Sequence, residues 1–390
     1  MQRLNAGERP DWRRQADAVG FDYHTAGGKP YWDETAYYRF TLEEIERDIE
    51  QPTQQLLDMC YAAVDYIIDR PELLRRLAIP EMAWDYIKAS WHRRDRDLYG
   101  RFDLRYDGEG PAKLFEFNAD TPTALFEAAV FQWQWLEQKL AAGALDRKAD
   151  QFNSIHERLI AAFPGFGIGH DALHLAMVAE SAEDRLTVEY LADCAHQAGI
   201  DARILDIGDI GVTADGRFTD LDDTVIAHLF KLYPWEWMLA DAFGVHLPQD
   251  KTQIIEPVWK MTLANKGLLA VLWEMYPGHD ALLPAYFEDD PRAGELKGAV
   301  RKPLLGREGS NIEIKRGFGA GQPSLRRDGP YGSEGYIVQA IAELPAFSDM
   351  HPVIGSWVVA GTACGIGIRE EDSLITSNAA RFVPHIILDR

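Results

Sequence analysis

Residues 113–123 read KLFEFNADTPT, and this segment decides how we interpret the fold. Glu116 and Asn118 stand two positions apart at the end of an apolar strand, so both side chains project from the same face. The Thr-Pro pair at 121–122 suits an N-cap and a first helical residue, which predicts a helix over 123–140. The segment therefore predicts oxygen ligands for a hard cation beside a helix N-terminus that favours an anion.

The preceding residues, RFDLRYDGEGP at 101–111, alternate polar and apolar side chains and then end in turn formers, which predicts an antiparallel hairpin. A four-residue loop places Asp103 opposite Glu116 and Arg101 opposite Asn118, all on one face. Two opposed carboxylates repel each other unless a cation lies between them, which favours a Mg²⁺ site. The alternative is an exposed hairpin whose acids face water.

Composition and charge bound the class of protein. The chain has 390 residues, of which 46% are hydrophobic and 11% aromatic, so it can form two or three lobes with sizeable cores. Its net charge of -22 repels phosphate backbones and anionic lipid surfaces, so we expect neither nucleic acid nor a membrane as a partner. The same charge attracts a cationic small molecule such as a polyamine, although an acidic surface also serves solubility.

Targeting signals and cysteine spacing point to the cytoplasm. The first residues lack the apolar core of a secretory signal. The longest uncharged stretch, 352–368, contains four glycines and is shorter than the roughly 20 apolar residues of a spanning helix. The cysteines are far apart and show no zinc or CxxC spacing, so we expect thiols that fill small apolar spaces.

Four parts follow one another along the chain, which predicts a mixed α+β and α/β fold. Residues 1–165 are predicted to be mainly helical around the hairpin, with amphipathic helices near 42–50, 53–69 and 71–77. Residues 166–253 alternate strands and helices as in a small parallel sheet. A region over 254–345 begins with a helical pattern to residue 286 and then becomes rich in glycine, like a lid. The last part, 346–390, returns to strands.

A lysine followed by a glycine-bearing loop predicts a phosphate site. Residues 301–312 read RKPLLGREGSNI, with Lys302 on a strand before a loop whose backbone amides can hold phosphates. No GK[ST] follows at Walker spacing, and a surface hairpin is an equal alternative. Lys266, at the start of a helix, adds a second cation, and Gln339 ends a strand that can border an adenine. The predicted loop residues are Gly306, Gly309, Ser310 and Asn311, and a second glycine-bearing stretch covers 317–321.

Taken together, these residues resemble the glutathionylspermidine synthase family, specifically its synthetase half. The resemblance covers nearly the whole chain. Its motifs are Arg101-x-Asp103, FEFNAD at 115–120, Glu256-Pro257 with Trp259-Lys260, Asn265-Lys266, the loop at 302–311 and the tail at 361–369.

The resemblance implies a permuted ATP-grasp-like fold, with ATP and two Mg²⁺ ions as cofactors. It implies that the metal ligands are Asp103, Glu116 and Asn118. It also implies that Lys266, Lys302 and the glycine loop hold phosphates, and that Arg101 and Arg369 flank the reacting acyl group. No amidase domain is expected, and the chain is more similar to the family's shorter single-domain members, which are described as acid–amine ligases.

Four further residues are candidates for substrate contact. Thr121 and Thr123 stand where the family's classical members carry serines, so the resemblance implies the ATP chemistry but does not imply a glutathione-like substrate. Glu180 and Asp184 can bind a cationic amine, although acids at a helix start more often stabilise the helix dipole.

The predicted function is an ATP-dependent carbon–nitrogen ligase that joins a small-molecule carboxylate to an amine through an acyl phosphate and releases ADP and phosphate. Two alternatives stay open at this point. One is a noncatalytic regulator that binds a nucleotide or ligand, and the other is a small-molecule kinase.

Overall fold

The computed structural model describes residues 1–26, 28–316 and 324–389, so the predicted glycine stretch at 317–321 lies outside the described residues. Within them, ten α-helices alternate with short 3-10 and π turns. The helices are α1 (Trp12–Ala18), α2 (Leu42–Ile45), α3 (Gln51–Ile68), α4 (Pro71–Arg76), α5 (Trp84–Arg93), α6 (Gln132–Ala141), α7 (Ile155–Ala162), α8 (Ala182–Gln197), α9 (Trp235–Ala240) and α10 (Leu268–Met275).

The strands of the described residues are β1 (Gln2–Asn5), β2 (Thr25–Ala26), β3 (Lys29–Pro30), β4 (Ala36–Phe40), β5 (Tyr99–Arg105), β6 (Lys113–Asn118), β7 (Ala172–Met177), β8 (Asp201–Asp206), β9 (Gly211–Val212), β10 (Phe218–Thr219), β11 (His228–Lys231), β12 (Gln253–Ile255), β13 (Ala285–Phe287), β14 (Ala299–Pro303), β15 (Glu313–Lys315), β16 (Ser324–Arg326), β17 (Tyr336–Ala340), β18 (His351–Val359), β19 (Thr362–Glu371), β20 (Arg381–Val383) and β21 (His385–Ile387).

The N-terminal helices form where local signals and an apolar stripe agree. Thr41 caps α2 in a capping box with Glu44, and Pro71 stands in the first turn of α4, where its missing N–H costs nothing. Between them α3 buries one apolar face, which includes Leu56 and Cys60. The predicted helices at 42–50, 53–69 and 71–77 are thereby confirmed, with a π turn over residues 46–50.

The predicted hairpin forms one edge of a five-stranded antiparallel sheet with the order β20-β19-β18-β5-β6. One face of the hairpin carries the charged residues. On the opposite face Phe102 and Phe117 stack at a centroid distance of 3.9 Å and belong to the same buried cluster as Leu56 of α3. The pleat therefore anchors the hairpin in the core through one face and presents the charges on the other.

The middle of the chain is a four-stranded parallel sheet with the order β12-β11-β7-β8, which confirms the predicted strand–helix alternation. Ser181 caps α8 by accepting a hydrogen bond from the Asp184 N–H. The carboxyl ends of the strands and the N-terminus of α8 lie at the same side of this sheet, where ligands commonly bind.

Two further sheets complete the architecture. A five-stranded antiparallel sheet with the order β13-β17-β14-β15-β16 carries Lys302 and Gln339 on adjacent strands. A three-stranded sheet joins the first strand to the last through β4, with β1 antiparallel and β21 parallel to it. None of the helices in the described parts of the chain is long and apolar enough to cross a membrane.

Two helix predictions were wrong in detail. The helix expected over 123–140 begins only after Ala124, whose φ of 63° is left-handed, and it opens with a π turn over Glu127–Phe131 before α6. Thr121 is therefore not an N-cap. The helical pattern expected over 254–286 is divided among β12, a 3-10 turn, α10 and β13, because its apolar residues serve two sheets as well as one helix.

Candidate active site

The hairpin brings the predicted acids into the expected register. Asp103 lies opposite Glu116, and Arg101 lies opposite Asn118. The loop is longer than the four residues predicted, because the register shifts after Asp103 and the strands end at Arg105 and Lys113. The shift leaves Phe115 as an extra residue on β6, which is a β-bulge.

Asp103 bridges two guanidinium groups. Arg101 Nε donates to Asp103 Oδ1 at 2.7 Å, and Arg369 Nη2 donates to Oδ2 at 2.8 Å. Gly355 of β18 lies opposite Asp103, and a Cβ there would come within 2.7 Å of Arg101 Cδ. A glycine on the central strand therefore makes room for the Arg101 side chain.

Glu116 is paired with Lys266, and the charge of Lys302 also acts on it. Lys266 Nζ is 3.1 Å from Glu116 Oε2 and also donates to the Gly306 carbonyl at 2.6 Å. Burial raises the pKa of Glu116, but the charges of Lys266 and Lys302 outweigh it and hold that pKa at about 2. Glu116 is therefore an anion at neutral pH.

Lys302 is fixed by neutral oxygens. Its Nζ donates to the Phe115 carbonyl at 2.8 Å and to Gln339 Oε1 at 2.7 Å, while Gln339 Nε2 donates to the Leu114 carbonyl at 3.0 Å. Burial lowers the pKa of Lys302 to about 8 against the opposing effect of Glu116. The bulge at Phe115 thus supplies the carbonyl that positions this lysine.

The glycine loop between β14 and β15 lines the same cavity as the hairpin charges and the two lysines. Gly306, Gly309 and Ser310 line a cavity of about 400 Å³ that also reaches the charged face of the hairpin. Asn311 does not line it, because its Oδ1 accepts a hydrogen bond from the Tyr331 N–H at 2.8 Å and so closes the loop from behind.

Arg307, which the sequence reasoning missed, ties the loop to the opposite wall. Its Nη1 donates to Thr121 Oγ1 at 2.9 Å, and its Nη2 donates to Glu236 Oε1 at 2.8 Å. The guanidinium also lies over the Trp237 ring, 5.5 Å from the centroid. Thr123 lines the same cavity, and its carbonyl accepts a hydrogen bond from Arg101 Nη1 at 2.7 Å.

The start of α8 contributes an acidic wall to the cavity. Glu183 and Asp184 line the cavity, whereas the predicted Glu180 is exposed and lies outside its lining. Burial and then the charge of Glu183 raise the pKa of Asp184 to about 6. Glu183 stands one residue before Asp184, and the acidic run in the sequence was the one signal that pointed to it.

A buried carboxyl group lies near this wall. Tyr23 and Tyr31 both donate to Glu127 Oε1, at 2.9 and 2.8 Å, while the buried Oε2 has no hydrogen-bond partner in the described structure. Burial and then the charge of Glu183 raise the pKa of Glu127 to about 7. Glu127 therefore keeps a proton to a much higher pH than an ordinary glutamate.

The donor set at the hairpin suits a hard cation. Across the described residues, no three His, Cys, Asp or Glu side chains come together as metal ligands. The predicted set uses two carboxylates, Asp103 and Glu116, with the amide of Asn118, whose Nδ2 is 3.5 Å from Glu116 Oε1. Mg²⁺ is commonly held by one or two carboxylates together with water and substrate phosphates, so these residues fit it. Their role as ligands stays a prediction.

Comparison with known proteins gives the family. The sequence matches the family described as glutathionylspermidine synthase preATP-grasp over residues 3–388. It is 44% identical to a Haemophilus influenzae protein named "Putative acid--amine ligase", over 97% of each chain. It is 28% identical to the trypanothione synthetase of Crithidia fasciculata, covering 87% of this chain and 55% of that protein.

A third relative is the bifunctional glutathionylspermidine synthetase/amidase of Escherichia coli, at 25% identity over 97% of this chain and 64% of that protein. Among solved structures, the apo form of a glutathione synthetase-like effector from Globodera pallida matches with a TM-score of 0.55 at 12% identity over 98% of each chain. That likeness confirms the predicted ATP-grasp-type synthetase fold. The chain belongs to the glutathionylspermidine synthase family, a family of ATP-dependent ligases that form amide bonds.

Proposed function

We propose that this chain is an ATP-dependent carbon–nitrogen ligase that activates a carboxylate as an acyl phosphate and transfers the acyl group to an amine. One observation carries the proposal: a single cavity of about 400 Å³ brings together the carboxylates of the hairpin, Asp103 and Glu116, with Arg101, Arg369, Lys266 and Lys302 beside a glycine loop. These are the charges that phosphoryl transfer and acyl transfer require, and they come from four separate regions of the chain.

In the first step a substrate carboxylate oxygen attacks the γ-phosphorus of ATP, the bond from that phosphorus to the bridging oxygen breaks, and ADP leaves. We assign the phosphate oxygens to Lys266 and Lys302, which line the cavity, and to the loop amides from Gly306 to Ser310, which would add neutral donors. Asp103, Glu116 and Asn118 would hold Mg²⁺, which would supply positive charge to balance that of the transferred group.

In the second step the amine nitrogen attacks the acyl carbon, the bond from that carbon to the phosphate oxygen breaks, and the amine loses a proton. The tetrahedral oxyanion needs fixed donors. Arg101 and Arg369 suit this role because Asp103 holds both guanidinium groups at 2.7 and 2.8 Å on the cavity side of the sheet.

The acidic wall supports binding of a cationic amine. Glu183 and Asp184 line the cavity at the N-terminus of α8, and Glu236 lines it from α9. We assign the amine to this wall, with Glu183 in place of the exposed Glu180. The names of the longer relatives, trypanothione synthetase and glutathionylspermidine synthetase, make peptide carboxylates and polyamines the first pools to test.

The test follows oxygen atoms. The protein is incubated with ATP, Mg²⁺ and pools of peptides, amino acids and polyamines until ADP release identifies a productive pair. The acid of that pair is then labelled with oxygen-18 in its carboxylate. We expect one labelled oxygen in the released phosphate. A stable phosphorylated product without phosphate release would favour a kinase, and ATP binding without ADP release from any pool would favour a noncatalytic regulator.

Variants of the hairpin check the role of its acids. Glu116→Gln should remove most turnover because the uncharged side chain no longer balances the lysines or binds a cation. Glu109→Gln is the matched control, since Glu109 is an exposed acid in the loop of the same hairpin. An active Glu116→Gln protein would contradict the assignment.

A further inference from the structure

Lys266 connects the metal-binding face of the hairpin with the glycine loop. Its Nζ is 3.1 Å from Glu116 Oε2 and 2.6 Å from the Gly306 carbonyl oxygen. The side chains of Lys266 and Glu116 are 11% and 26% exposed, so water screens their attraction only partly. The ammonium group of Lys266 therefore contacts two groups at once. One is the Glu116 carboxylate, which a metal ion would need as a ligand, and the other is the backbone of the glycine loop, which phosphates would need as a binding site.

The other charged groups named for this site form their contacts with different partners. Lys302 donates to the Phe115 carbonyl and to Gln339, both of which are neutral acceptors. The second carboxylate, Asp103, is already bound by Arg101 and Arg369. Each predicted metal ligand that carries a charge thus has a cation of the protein on it, and at Glu116 that cation stands on a flexible four-carbon stem.

A nucleotide changes the balance of charge around Lys266. A triphosphate presents several negative charges, whereas Glu116 presents one and Gly306 only a carbonyl dipole. When Lys266 turns to the phosphates, Glu116 loses the ammonium group that is in contact with it and keeps only the charge of Lys302, which bonds elsewhere, while the Gly306 carbonyl loses its donor. A divalent cation that arrives with the phosphates then finds a free carboxylate.

We propose that Lys266 is an internal counter-ion that blocks the metal position at Glu116. When a nucleotide binds, Lys266 moves from Glu116 to the phosphates. Nucleotide binding therefore creates the metal site and releases the glycine loop in one step. This inference rests on the proposed function, because it takes ATP and Mg²⁺ as ligands. By linkage, the bound nucleotide raises the affinity for metal and the bound metal raises the affinity for nucleotide by the same factor.

The test measures metal binding without turnover. Mn²⁺ is titrated into the nucleotide-free protein, and the free ion is followed by electron paramagnetic resonance. We expect Lys266→Met and Lys266→Gln to bind Mn²⁺ roughly tenfold or more tightly than the unaltered protein, because Glu116 has lost its competitor. Lys113→Met, on the same strand as Glu116 but bonded to the Asp280 carbonyl, is the control and should leave the affinity unchanged.

A double variant locates the ion. Lys266→Met combined with Glu116→Gln should lose the gain, and a gain that persists would overturn the proposal because the ion would then bind elsewhere. Unchanged or weaker Mn²⁺ binding in both single Lys266 variants would overturn it too. Neither result bears on the oxygen-18 experiment, so the ligase proposal and the counter-ion proposal fail separately.

Discussion

The buried carboxyl of Glu127 offers a direct test of the electrostatics behind the acidic wall. Replacement by glutamine keeps the oxygen that accepts hydrogen bonds from Tyr23 and Tyr31, at 2.9 and 2.8 Å. The new amide NH₂ takes the place of the partnerless Oε2, much as the hydroxyl of a protonated glutamate would. Glu127→Gln therefore imitates the protonated state at every pH.

The magnitude follows from the pKa of Glu127, which is about 7 in the folded protein against an ordinary value of 4.5. The folded state binds this proton more tightly than the unfolded chain, so the group stabilises the fold fully below pH 4.5 and loses that effect as the pH rises through about 7. At about 1.4 kcal/mol for each unit of difference between the two pKa values, the free energy of unfolding falls by about 3 kcal/mol. Desolvation of the buried carboxyl group is the largest cause of this difference.

The assay is urea unfolding of both proteins at about pH 4 and about pH 8.5, which lie on either side of the transition. We expect similar free energies of unfolding near pH 4, and a variant that is more stable than the unaltered protein by about 3 kcal/mol near pH 8.5. Glu137→Gln, which removes an exposed acid from the same helix, should show no such dependence. A difference between the Glu127 proteins that does not change with pH would refute the reasoning.

Two further predictions concern the arginines of the cavity. Gly355→Ala brings a methyl group within 2.7 Å of Arg101 Cδ, so we expect turnover to fall roughly tenfold or more in ADP-release kinetics, while Gly7→Ala, which meets open space, leaves it unchanged. A double-mutant cycle of Arg307→Met and Glu236→Gln, read as nucleotide affinity by calorimetry, should give a coupling of about 0.5–3 kcal/mol, and a coupling near zero would contradict a loop tied down by this pair.

Much of the fold could be predicted because its signals are local. The alternation at 101–106 and 113–118 determines which residues face the core, and with it the register of Asp103 against Glu116. The strand–helix order of the middle part likewise predicted a parallel sheet. The predicted length of the hairpin loop was wrong because β6 contains a bulge at Phe115. That bulge is stabilised by a hydrogen bond from Lys302, which lies on a distant strand.

The candidate site could be predicted less well wherever a residue contacts a side chain that is distant in sequence. Thr121 has the residue type of an N-cap, yet its hydroxyl binds Arg307, and the helix starts only after Ala124. The sequence carries no signal for the contacts of Arg307, since neither Glu236 nor Thr121 is near it in sequence. Local propensity cannot predict a contact between side chains that come from distant segments of the chain.

The position of β18 between β5 and β19 has a consequence for protein synthesis. The ribosome completes the hairpin long before it reaches the strand that covers its open edge, which begins at His351. Until then the nascent chain carries an unpaired strand edge, and Asp103 has Arg101 beside it but not Arg369. Such edges invite association with other chains, so this segment is where we expect a chaperone to be needed most. We therefore expect the contact between Asp103 and Arg369 to form only after β19 has been synthesised.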